Sequence, residues 1–135
     1  MAKQEHSSYN EILKNIRNKQ FAPIYLLMGE EPYFIDELTE RLQETVVAED
    51  ERDFNQTILY GADTSIETVI NASRRFPVMA ERQIVLFKEV QSAADAKRNI
   101  EKLLPYASNP SKATVLVITF KGDVLSASSG WVKEI

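Results

Sequence analysis

Cysteine is absent from the chain, and with it go disulfides, thiolate zinc sites and cysteine nucleophiles. That absence fits a reducing cytoplasm. Histidine is nearly absent: the single one, His6, stands close to the start. A histidine-based metal centre or a Ser-His-Asp triad within the chain is therefore excluded. Four glycines and five prolines in 135 residues rule out a collagen-like chain or a long flexible linker. No apolar run approaches the ~20 residues of a membrane span, and the polar stretch 1–10 has no signal-peptide core. Positive charge is in deficit, with 16 Lys and Arg against 20 Asp and Glu and a net charge of -4. A broad phosphate-binding surface wants the opposite sign, so any role at DNA is expected to be indirect. A DNA-contacting face built from Arg74, Arg75, Lys88, Lys97 and Arg98 is a weaker alternative, since such charges are more simply solvated helix faces.

What is present describes a globular chain. Hydrophobic residues make up 44% and charged residues 27%, enough for one domain with a core of its own. Four apolar runs predict strands: 24–28 (IYLLM), 54–60 (FNQTILY), 84–87 (IVLF) and 114–120 (TVLVITF). The first, third and fourth are nearly continuous, as in strands buried on both faces, whereas the second alternates more. Helical stripes fall between them. Tyr9, Ile12, Leu13 and Ile16 form the first, and Phe34, Leu38, Leu42 and Val46 the second. Ile66, Val69, Ile70 and Ser73 form the third, with Thr64 or Ser65 as N-cap and Glu67 in the first turn. Ala96, Ile100, Leu103, Leu104 and Ala107 form the fourth. Strands separated by helix-length connections need crossovers, which predicts a mostly parallel sheet covered by helices.

At the far end, Ser128 or Ser129 could cap a new helix whose apolar face begins with Trp131, Val132 and Ile135. One or two turns are marginal alone. The expected division is a domain over 1–125 followed by the start, over 126–135, of a helix that leads into later domains. A short terminal helix docked on its own domain is the alternative.

In a parallel α/β sheet ligands bind beyond the carboxyl ends of the strands. After the first strand a P-loop needs a second glycine, a lysine and a hydroxyl to hold phosphates. The chain offers Gly29, then Glu30, Glu31 and Pro32, with negative charge where a triphosphate needs positive. Those carboxylates suit a helix start instead. The third strand ends Phe87-Lys88-Glu89, with a lysine where a magnesium-holding carboxylate would stand. No catalytic, cofactor-binding or metal-binding residue is expected, and no intrinsic catalysis. A nucleotide-binding P-loop-like domain with an unorthodox site is the competing reading.

The stretch 73–83 (SRRFPVMAERQ) joins the third helix to the third strand. Pro77 biases Phe76 away from helical geometry, so Phe76, Val78 and Met79 fall in a connection, where apolar groups are unusual. Arg74, Arg75 and Arg82 flank them. Two placements are open. The apolar side chains could project as a docking tip whose basic rim steers a partner, or they could tuck under the sheet as ordinary core.

The blocks 24–33 (IYLLMGEEPY) and 76–83 (FPVMAERQ) together resemble the delta subunit of bacterial DNA polymerase III, in the wording of its Bacteroidetes branch. Leu104-Pro105-Tyr106 and the fourth strand are similar too. The resemblance implies an AAA+-like domain with a degenerate nucleotide site, needing no cofactor. It implies a non-catalytic clamp-loader subunit within a DNA-directed DNA polymerase assembly, in the bacterial cytoplasm. Its partners would be the ring-shaped β sliding clamp and, mainly through later domains, the other loader subunits; no membrane is involved. In that family a Leu-Phe pair before an Ala-x-Arg-Gln-like sequence wedges into the clamp. Val78 and Met79 occupy those two places here, before Ala80-Glu81-Arg82-Gln83, and Arg74 stands where some members carry glutamine. The implied clamp-binding set is Val78, Met79, Phe76, Pro77, Arg75 and Arg74, with Phe76 or the Val78-Met79 pair as main anchor.

Overall fold

A computed structural model describes residues 9–29, 32–93 and 96–121. In chain order it contains α1 (Tyr9–Arg17), β1 (Ile24–Gly29), α2 (Pro32–Val46), a 3-10 turn (Glu49–Glu51), α3 (Arg52–Asn55) and β2 (Gln56–Tyr60). Then come α4 (Ile66–Arg74), β3 (Gln83–Lys88), a second 3-10 turn (Val90–Ser92), α5 (Ala96–Glu101), α6 (Leu104–Ser108) and β4 (Thr114–Lys121). The four strands lie in the order β1-β4-β3-β2, and every neighbouring pair is parallel. The crossover argument thus gives the right sheet.

The two central strands are apolar on both faces because both faces are covered. Along β3, Val85 and Phe87 face a core shared with Ile66 and Val69 of α4, Ile100 of α5 and Tyr106 of α6. Ile84 and Leu86 face the other way, toward Ile16 of α1 and Ile35, Leu38 and Leu42 of α2. Strand β4 repeats the alternation, with Leu116 and Ile118 on the first side and Val115 and Val117 on the second. This is the period of two read across a three-layer sandwich. Each such side chain contributes roughly 1.5–3 kcal/mol when fully buried. Of the two N-cap candidates, Ser65 caps α4: its hydroxyl accepts the Thr68 N–H at 3.2 Å.

Four local expectations are corrected. The second strand begins at Gln56 rather than Phe54, because Phe54 and Asn55 complete the short helix α3. Phe54 is 75% exposed, whereas Asn55 is buried and turned to polar partners. The fourth stripe is two helices, α5 and α6, rather than one. In an unbroken helix Pro105 would lack its N–H and strike the preceding turn; it sits instead in the first turn of α6, where that N–H is not needed. In α2, Ile35 takes the inward place assigned to Phe34, which is exposed and meets the Tyr9 ring edge-on at 4.9 Å. Finally, β1 pairs only with β4 among the described residues, and its Tyr25, Leu26 and Met28 are half-buried. Residues 126–135, where a further helix was expected, lie outside the described residues, as do Glu30 and Glu31.

One close approach ties the carboxyl ends of β2 and β3 together. The Gly61 N–H donates to the Lys88 carbonyl at 2.8 Å. A Cβ added at Gly61 would stand 2.6 Å from the Glu89 carbonyl oxygen and 2.7 Å from the Val90 Cα. Both obstacles are backbone and cannot swing aside. Gly61→Ala is expected to cost about 1–3 kcal/mol in urea unfolding; an unchanged midpoint would mean that this junction yields freely.

Candidate functional site

A parallel sheet has two unlike edges. The connection from α4 arrives at the amino edge, where β3 starts. There Phe76 is 88%, Val78 49% and Met79 96% exposed. Of the two placements open in the sequence, these side chains take the outward one. Helix α4 ends as expected: Arg75 is already extended, and its N–H closes the last turn on the Ala72 carbonyl. Met79 has a left-handed backbone, φ 54°. For a non-glycine residue that conformation costs of order 1–3 kcal/mol and persists only where its surroundings enforce it.

Buried amides supply the enforcement. Asn55, at the end of α3, accepts the Val78 N–H on Oδ1 at 2.6 Å and donates from Nδ2 to the Val78 carbonyl at 2.9 Å. Gln83, the first residue of β3 and only 4% exposed, shares the two hydrogens of Nε2 among the Arg75 carbonyl (2.6 Å), Thr114 Oγ1 (2.9 Å) and the more distant Ala72 carbonyl (3.2 Å). Thr114 in turn donates to the Ser73 carbonyl at 2.8 Å. The tip is thus fastened just before it by Gln83 and Thr114, at the starts of β3 and β4, and at Val78 by Asn55, next to the start of β2. Sequence reasoning missed Asn55 and the part played by Gln83. For Gln83 a signal existed, a lone amide heading an otherwise apolar strand. For Asn55 only the departure of residues 54–55 from strand alternation hinted at it.

The arginines around the tip are held by different neighbours. Arg74 turns toward the connection before β4, donating to the Asn109 carbonyl at 2.6 Å with its guanidinium 4.4 Å from the Tyr106 ring centroid. Arg75 donates to Thr57 Oγ1 of β2 at 3.3 Å. Arg82 lies 3.7 Å from the Glu81 carboxylate and 5.1 Å from the Phe21 ring centroid. Arg74 and Arg75 remain exposed, so their charge is still felt by an approaching surface.

At the opposite, carboxyl edge, Gly29 turns out of β1 with φ 144°, a conformation that disfavours other residues. Lys121, at the end of β4, reaches Asp36 of α2 at 2.9 Å and Glu89 at 3.1 Å. Hydrogen bonds to Asp36 and then Glu89 raise the Lys121 ammonium above its ordinary value, against partial burial. Partial burial pushes the Glu89 carboxyl up, but the bonds from Lys121 and Gln91 outweigh it and the net direction is down. A depressed Glu89 stabilises the fold above the ordinary glutamate value of 4.5 and loses that contribution as pH falls below it. A raised Lys121 stabilises below the ordinary lysine value of 10.5 and is lost as pH climbs beyond it. The groups are partly solvated, so the cluster contributes only ~0.2–1 kcal/mol. Lys121→Met is therefore expected to show its deficit at neutral pH, shrinking as pH falls through 4.5. A deficit independent of pH between 3 and 7, roughly the titration range of a carboxylate, would remove the ion pairs as its cause.

Comparison with known proteins bears on the family and the fold. The family described as DNA polymerase III, delta subunit, matches residues 25–135. DNA polymerase III subunit delta of Bacillus subtilis is 27% identical over 114 residues, 80% of this chain and 33% of that protein. The solved DNA clamp loader delta protein of Bacillus subtilis superposes with a TM-score of 0.83 at 25% identity, covering 94% of this chain and 39% of that one. A DNA polymerase III gamma-subunit-related protein from Thermotoga maritima shares the fold, with a TM-score of 0.56 at 13% identity, over 85% of this chain and 40% of that one. The chain spans about a third of the length of the curated relative. Its three-layer parallel α/β domain is AAA+-like, and the family match over most of its residues settles its place: the chain belongs to the delta-subunit family of DNA polymerase III.

Proposed function

We propose that this chain binds the β sliding clamp through the tip at Phe76–Met79 and helps to open the ring without hydrolysing ATP itself. The observation that carries the reading is a projecting apolar tip on a fastened base, with Phe76 and Met79 almost wholly solvated. Methionine suits such a pocket-filling role because its unbranched chain adapts to the cavity it meets. Phe76 supplies an aromatic anchor, and Arg74 and Arg75 add charge beside it. A ring already under strain needs only a partner that prefers its open form; the shift in population equals the differential affinity. The chain's own part is therefore mechanical. Assembly with the other loader subunits would run mainly through later domains, in the bacterial cytoplasm. Among the described residues no helix is long and apolar enough to cross a membrane.

The ion cluster at the carboxyl edge favours this reading over a nucleotide-binding one. Lys121 spends its charge on Asp36 and Glu89, at the edge where a phosphate would need it. Titration with the sliding clamp of the same organism is expected to give saturable 1:1 binding per clamp site. Calorimetry with ATP and Mg²⁺ is the counter-test: a saturating ATP isotherm with no clamp binding would overturn the proposal.

A further inference from the structure

We propose that Asn55 is a positioning residue for the docking tip, a strut that keeps it projecting before any partner arrives. The inference rests on the reading that this tip docks. An unsupported connection bearing Phe76 and Met79 would gain by folding back, since water drives such side chains onto the nearest apolar surface. The tip instead stands clear, and among the described residues the side chain that hydrogen-bonds its middle is Asn55. That residue is 2% exposed. Its amide holds both peptide groups of Val78, the N–H at 2.6 Å and the carbonyl at 2.9 Å, while its second Nδ2 hydrogen anchors it to the Glu51 carbonyl at 3.0 Å. Val78 lies between Pro77, whose ring fixes φ, and Met79, whose backbone is left-handed. Holding the residue between two such constraints fixes the direction of both anchors. Only an amide has the donors and the acceptor this grip requires.

A strut acts through the population of the competent conformer, and apparent affinity falls by the fraction lost. The signature is kinetic. With the sliding clamp immobilised and the full chain in solution, Asn55→Ala is expected to slow association about tenfold and leave dissociation within about twofold. Met79→Ala, which removes an anchor, is expected to speed dissociation instead. Asn55→Asp keeps the acceptor for the Val78 N–H but turns a carboxylate on two carbonyls, and is expected not to rescue association. Hydrogen exchange needs no variant: the Val78 amide of the parent chain is expected to be protected. An unprotected Val78 amide, or Asn55 variants that associate at the parent rate while Met79→Ala weakens binding, would overturn the strut. Unchanged binding by Met79→Ala as well would overturn the docking reading beneath it.

Discussion

Phe76→Ala combined with Met79→Ala is expected to weaken binding to the sliding clamp by about a hundredfold or more, with no change in the unfolding midpoint. Each side chain, if fully buried in a partner's pocket, contributes roughly 1.5–3 kcal/mol, and each 1.4 kcal/mol is about tenfold in affinity. Interfaces concentrate their energy in a few such anchors. In the free chain the same atoms are almost wholly in water, at 88% and 96% exposure, so truncating them removes no packing. Exposed substitutions of this kind usually move stability by less than about 0.5 kcal/mol. Val78 differs, because its backbone is gripped by Asn55 and the residue is only 49% exposed. Val78→Ala should therefore lose less affinity than Phe76→Ala or Met79→Ala. Clamp titration and urea unfolding of the same preparations decide the matter. Full affinity in the double variant would remove the tip from the interface, and a fallen midpoint would mean that the two side chains pack on the domain after all.

The parallel sheet could be read from the chain because its signals are local and agree with one another. Runs such as 84–87 and 114–120 are too apolar for a half-exposed strand and too short for a helix. The cap at Thr64 or Ser65 and the break at Pro77 are written in one or two residues. Where local signals compete, reading fails. Phe54 opens what looks like an alternating strand, yet the hydrogen bonds of Asn55 to Glu51 and Val78 belong to a helix end and a distant loop. Pro105 divides a stripe whose apolar spacing is continuous. The site shows the same boundary. That Phe76, Val78 and Met79 occupy a connection follows from Pro77 alone, but whether they point out or in does not, since the same residues satisfy either placement. The direction depends on Asn55 and Gln83, whose partners lie in other elements.

Phe87→Ala is expected to cost about 3–5 kcal/mol, the opposite outcome from the same chemical change at Phe76. Phe87 is fully buried in β3, paired with Ile118 of β4 on one side and Leu59 of β2 on the other. Its ring fills the core beneath α4, α5 and α6. Alanine leaves a void that the flanking strands cannot close, because their own hydrogen-bonded register fixes their spacing. Against a total stability of about 5–15 kcal/mol such a loss is large, and the thermal midpoint should drop by roughly 10 °C or more. Docking is expected to respond differently. The tip is fastened by Asn55, Gln83 and Thr114 at the amino edge, and none of these is partnered by Phe87 in the sheet register. Well below its midpoint, Phe87→Ala should therefore bind the clamp with parental affinity. If affinity falls while circular dichroism still reports a folded domain, the tip takes its shape from the core rather than from the amides at its base. Fold and docking would then be one property of this sheet instead of two.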